Sequence, residues 1–233
     1  MRPHATSGTD EPLLAWPGID NLRDTLPLSA MFALIFYACY GGASVVTGLH
    51  GLRLRIHFDF EQHFPFVPAL ALVYLSLNVM LALTPFILRT RQAILPLFLT
   101  MSAETILASL CFVLLPVADG YNPVLASGFW GSVFSLADVV NLDHNYLPSL
   151  HVALAVTAAL AFSQRCGRGG KLVFYGWATA IAISTLLTHQ HYILDVITGI
   201  ALALTAMRVV YPRAAATFPL RKIQIGHELM ESR

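Results

Sequence analysis

Charge is what this chain has least of. Only 12% of its 233 residues are Asp, Glu, Lys or Arg, against about a quarter in a soluble globular domain. With 56% hydrophobic residues, that scarcity excludes an ordinary water-soluble fold. Lysine occurs only at Lys171 and Lys222. The formal net charge of +1 leaves no electrostatic case for a nucleic-acid partner. Cys39 and Cys111 lie in apolar runs and Cys166 in a basic loop. With no CxxC, they suggest neither a disulfide framework nor a cysteine metal site. No internal repeat or low-complexity linker divides the chain. The first apolar run begins near Pro27, behind a polar segment holding Asp10, Glu11, Asp20 and Asp24. A secretory signal has a short basic start followed directly by its apolar core, so none is read here.

What is present is a set of six apolar runs, near 29–49, 67–88, 93–115, 148–164, 171–188 and 191–211. Each approaches the roughly 20 residues that a helix needs to cross a bilayer. They predict an all-α polytopic membrane protein of six transmembrane helices, spanning 29–211 between polar tails 1–28 and 212–233. Six spans put both termini on one side, with the loops 89–92 and 164–171. That side collects twelve of the fourteen basic residues, leaving Arg53 and Arg55 opposite. By the positive-inside rule both termini are expected in the cytoplasm. A bacterial cytoplasmic membrane is the expected location. Between spans three and four, Phe129 and Trp130 join Leu125, Val133, Leu136 and Val140 at helical spacing. This predicts a helix lying in the interface or packed on the bundle.

The chemistry-bearing residues then gather on the outer side. In LDHNYLPSLHVALA (142–155), Pro148 suits a helix start, which puts Ser149, Leu150 and His151 in an opening turn. The free N–H groups of such a turn favour a phosphate or another anion. In THQHYILDVITG (188–199), His191 and Asp195 share one helix face, four residues apart. Ionisable groups are costly in a membrane span, so a functional role is the default reading, with a structural pair the alternative. A neutral imidazole can attack phosphorus when a carboxylate holds its other nitrogen. A second histidine can protonate the departing oxygen, and His151 is the candidate.

PSLH (148–151) and STLLTHQHYILD (184–195), in this order, resemble the type 2 phosphatidic acid phosphatase (PAP2) superfamily. Within it they look closest to the inositolphosphotransferase and sphingomyelin-synthase-like branch, where the first motif often reads PSLH. The resemblance implies a PAP2-like helical bundle with His191 as the nucleophile that forms a phosphohistidine. It further implies Asp195 as the orienting partner, His151 as the acid and Ser149 as a phosphate contact. The implied substrate is a membrane lipid phosphate ester, and no cofactor is implied.

Two departures bear on the site. The superfamily's Lys followed six residues later by Arg-Pro is absent, and Thr185 stands where an arginine is expected after Ser184. Phosphoryl transfer needs cations around the equatorial oxygens. Arg53 and Arg55 are the outer-face candidates, with His189 third. His57, His63, His144 and His189 raise the question of a metal, but HxxxH boxes on several helices are missing. Metal-independent lipid phosphate hydrolysis is therefore expected. Transfer to an alcohol or second lipid is the alternative, and a non-catalytic phospholipid binder or transporter a further one. Glu104 and Asn78, at similar depth in spans three and two, are expected to contact each other structurally. Asp143 and Asn145 are expected to hold the loop ahead of Pro148.

Overall fold

A computed structural model describes residues 13–121, 126–142 and 144–217. Arg2, Leu125, Asp143, Arg221, Lys222 and Arg233 lie outside them, as does the side chain of Val140. The described regular elements are helical, apart from one isolated bridge between Leu54 and Val117.

The first helix begins at Ile19, earlier than its apolar run, with the exposed Asp20, Arg23 and Asp24 in its opening turns. It comprises α1 (Ile19–Phe36), a π-helical segment (Tyr37–Gly41) and α2 (Gly42–Gly48). The π segment turns Tyr40 inward. Its hydroxyl donates to the Asn141 carbonyl, and its own carbonyl accepts from Asn145 Nδ2 at 2.8 Å. Asn145 thus anchors the loop ahead of Pro148, as expected. Further on come α3 (Ala71–Ala82), α4 (Thr84–Leu88), α5 (Arg91–Leu114) and α6 (Gly128–Asn141). The last three are α7 (Leu150–Ser163), α8 (Arg168–Leu187) and α9 (Ile193–Thr217). The tail boundaries expected at 28 and 211 therefore fall inside α1 and α9.

Among the described residues four helices are long and apolar enough to cross a membrane: Ile19–Gly48, Arg91–Leu114, Arg168–Leu187 and Ile193–Thr217. The other two expected spans are shorter apolar helices, Pro68–Ala82 and Leu150–Ser163, so six full spans are not what the helix lengths give. The second run is interrupted where α3 ends and α4 restarts with Pro85 in its first turn. The fourth is shortened because the helix starts only after Ser149. Pro148 precedes that cap rather than opening the helix, in a cis peptide with Leu147.

α5 is the central helix, packed against α1, α7 and α9, while α3 lies on α8 and α6. A carboxylate in this core needs a donor, and Glu104 Oε1 takes one from Thr157 Oγ1 of α7 at 2.5 Å. The expected Glu104–Asn78 contact does not form. α5 faces α7 at that depth, and Asn78 is exposed on α3, donating to the Leu75 carbonyl.

α7 and α9 meet through small residues, as close helix pairs in membranes do. At Gly199 the approach is closest: an added Cβ would stand 2.5 Å from the Ser149 carbonyl oxygen, a backbone atom that cannot swing aside. Gly199→Ala is expected to cost about 1–3 kcal/mol, as overpacking does. It should appear as a lowered thermal unfolding midpoint in detergent, whereas Gly176→Ala, with open space around it, should leave the midpoint unchanged.

Candidate active site

At one end of the bundle the chain between α8 and α9 makes a tight reversal. Backbone N–H groups of Gln190 and His191 both donate to the Thr185 carbonyl, at 3.0 and 3.1 Å. His189 takes a left-handed conformation there, with φ 57°. Thr185, the position where an arginine was expected, is wholly buried and serves as the acceptor that folds this turn.

Asp195 organises the entry into α9. Its Oδ2 accepts from the Tyr192 N–H at 2.9 Å and from His191 Nδ1 at 3.4 Å. A carboxylate offers no proton, so the shared one sits on His191 Nδ1 and the lone pair is left on Nε2. His191 is 1% exposed, and the Tyr121 hydroxyl donates to its carbonyl at 3.4 Å. The Asp195 carbonyl accepts the Ser149 N–H at 3.0 Å, so the PSLH segment is fastened directly to the first turn of α9. The two motifs singled out in the sequence are thus brought together.

Each of the other expected residues has a definite place. Ser149 is wholly buried, and its hydroxyl caps α7 by accepting from the Val152 N–H at 3.4 Å. His151 stacks on the Tyr74 ring at 3.8 Å and donates from Nε2 to the Tyr74 carbonyl at 2.7 Å. It lines an apolar cavity of about 460 Å³ between α1, α3, α6 and α7, walled by side chains such as Phe36, Leu77 and Leu154. A second, polar cavity of about 520 Å³ lies beside the 188–190 turn and includes Arg53, His144, His189 and Gln190 in its wall. Arg53 is held there by donating to the carbonyls of Thr47 (3.1 Å) and Val117 (3.3 Å). Arg55 is not brought to this cavity. Its side chain is 60% exposed and engaged with Asp59 and His57.

α6 forms as its spacing predicts, and its Phe134, Asp138 and Asn141 line the polar cavity. His189 stacks on Tyr121 at 4.1 Å and donates from Nε2 to the Phe64 carbonyl at 3.1 Å. Burial pushes its imidazole below the usual histidine value, only partly offset by that hydrogen bond and by Asp119. His189 is therefore a neutral wall at neutral pH and a cation only in acid.

Glu61 is the residue that sequence reasoning missed. It is wholly buried, and its carboxylate joins two segments. Oε2 accepts the Phe58 N–H at 2.6 Å and Oε1 the Ile193 N–H at 2.6 Å. The second bond satisfies an orphan donor at the start of α9 and sets a negative charge against its positive dipole end. With Val67 N–H donating to the Leu187 carbonyl at 2.8 Å, the 58–67 loop is strapped across the turn that presents His191. The available signal was an acid three residues after Phe58, in capping-box spacing within FDFEQHF.

The profile of the PAP2 superfamily matches residues 48–209, well over half of the chain, and the chain belongs to that superfamily. No curated protein matches it. The matched region contains both motifs, the Glu61 strap and the lining of the polar cavity, while the α1 wall of the apolar cavity precedes it.

Glu61→Ala is expected to cost roughly 1.5–3 kcal/mol for each charged hydrogen bond lost. Glu61→Gln keeps an acceptor for Ile193 while setting an amide NH₂ against the Phe58 N–H, so its loss should be smaller; thermal unfolding in detergent ranks the two. Phosphate titrations should show His189→Gln leaving binding unchanged at pH 7.5 and weakening it only as the pH falls through the lowered pKa, because the added charge exists only below it.

Proposed function

We propose that the chain is an integral-membrane lipid phosphate phosphatase that works without a metal, through a phosphohistidine on His191. The observation that carries this reading is the buried His191–Asp195 pair, fastened to the PSLH helix start, with its chain neighbour Gln190 in the wall of the polar cavity and His151 in the wall of the apolar one. His191 Nε2 attacks phosphorus, and the P–O bond to the lipid alcohol breaks. Asp195 stabilises the positive charge that the ring gains. His151, on the apolar cavity where the lipid portion would lie, protonates the departing alkoxide. With Nε2–H engaged by the Tyr74 carbonyl, that proton comes from Nδ1 of the imidazolium form. Water then attacks the phosphohistidine, giving inorganic phosphate and free His191. Arg53 is the permanent cation for the equatorial oxygens, and the Ser149-capped first turn of α7 favours the same anion.

The twelve-to-two distribution of basic residues supports an extracytoplasmic site with both termini cytoplasmic; the membrane we assign is a bacterial inner membrane, with an endomembrane of the secretory pathway second. One catalytic domain, 29–211 extended to the helix ends, accounts for both motifs. A second reading is phosphotransfer to an alcohol or lipid, as in the inositolphosphotransferase and sphingomyelin-synthase-like branch. It is favoured by the size of the polar cavity, which exceeds what phosphate and water require.

The test is to incubate the protein in detergent with EDTA and a mixed extract of lipid phosphates and phospholipids, and follow phosphorus NMR. Inorganic phosphate is expected with the unmodified protein, and its rate should fall on the order of 10⁴-fold in His191→Ala. A new phosphodiester signal in its place establishes the transferase. Spectra identical with those of His191→Ala across a broad lipid panel overturn both readings.

A further inference from the structure

The two residues on either side of His191 each hold a carboxylate at the wall of the polar cavity. Gln190 Nε2 donates to Asp138 Oδ1 at 3.1 Å, and the Tyr192 hydroxyl donates to Asp119 Oδ1 at 3.2 Å. Asp119 also accepts the Tyr121 N–H at 3.1 Å. Among the described residues neither carboxylate makes an ion pair, although Arg53 lines the same cavity. The guanidinium instead donates to two backbone carbonyls. Positive and negative groups thus share one cavity without neutralising each other.

An independent observation shows what the negative side lacks. Gln190 is 4% exposed, and its Oε1 has no hydrogen-bond partner. Turning the amide over is no remedy, because Oε1 would then face the Asp138 carboxylate. Buried acceptors are rarely left unpaired, so this one is complementary to a donor brought by a ligand. Aromatic rings complete the wall, among them Phe66, Phe134 and Tyr146. Carboxylates together with aromatic faces suit an alkylammonium group. A bare phosphate dianion, by contrast, meets like charge from both aspartates.

We propose that the polar cavity recognises a phosphate that carries an ammonium group, of the amino-alcohol phosphate type. The phosphate lies against Arg53 and His191, and the ammonium lies against Asp119, Asp138 and Gln190 Oε1. This rests on the reading of His191 as the phosphate-reacting residue and names the substrate class of that site: the ammonium belongs to the alcohol part of the ester and leaves with it when inorganic phosphate forms. Hydroxyl-rich headgroups offer donors but no charge, and so leave both aspartates uncompensated.

Calorimetric titration of the full chain in detergent at pH 7.5 tests this with three soluble probes: inorganic phosphate, O-phosphoethanolamine and inositol phosphate. Phosphoethanolamine is expected to bind about tenfold or more tighter than the other two. Asp138→Asn, which still offers Gln190 an acceptor, and Asp119→Asn should each shrink that preference several-fold. Equal binding of phosphoethanolamine and phosphate overturns the proposal, as does tighter binding of inositol phosphate or a preference untouched by both substitutions. The ranking on the unmodified protein decides by itself if the variants fail to fold. Failure of all three probes to bind, phosphate included, removes the phosphate site itself; binding without discrimination removes only the ammonium subsite.

Discussion

Everything at the working end of this molecule depends on one carboxylate buried in the first turn of α9. Asp195 takes a backbone N–H and an imidazole N–H on one oxygen, while its own carbonyl takes the N–H of Ser149. The side chain therefore fixes the tautomer of His191, and the backbone fixes where the PSLH helix begins. In an apolar surround an unpaired carboxylate is costly, so the same need for donors that stabilises the fold also orients the ring. Local structure and chemistry are here a single set of hydrogen bonds.

The remaining architecture holds that joint from two sides. Glu61 pins the start of α9 from the 58–67 loop, and Gly199 lets α7 approach until backbone meets backbone. His151, on the PSLH segment, stands in the wall of an apolar cavity, and Gln190, next to His191, in the wall of a cavity of mixed charge.

Much of this was legible in the sequence, and what was not has physical causes. PSLH and the His191–Asp195 spacing could be read because a helix start and an i,i+4 pair are local geometry. Span count was harder: hydropathy sees apolar residues but not that α7 owes its apolarity to burial among neighbouring helices rather than to crossing length. Glu104 was recognisable as a buried acid, whereas its partner depended on which helix faces which, and that is tertiary information. Arg53 and Arg55 are two residues apart and chemically identical. Only the pairing of Leu54 with Val117 decides that the first reaches the cavity and the second turns to Asp59. Asp119 and Asp138 come from the long connection between α5 and α7, where spacing carries no information about what folds back on what.

The π-helical segment at Tyr37–Gly41 sets a constraint on how this chain can change. Such a segment holds one residue more than the α-helix would use, and each residue in an α-helix advances the face by about 100°. Losing that extra residue would let the stretch close into regular α-helix with its two flanking faces nearly in register, but the wide turn that faces Tyr40 inward would be gone. Tyr40 would swing away from Asn141 and Asn145, loosening the loop that feeds Ser149. A lineage can therefore exchange residues along this helix more readily than it can lose one from the π turn, because the spare residue there holds the approach to Ser149.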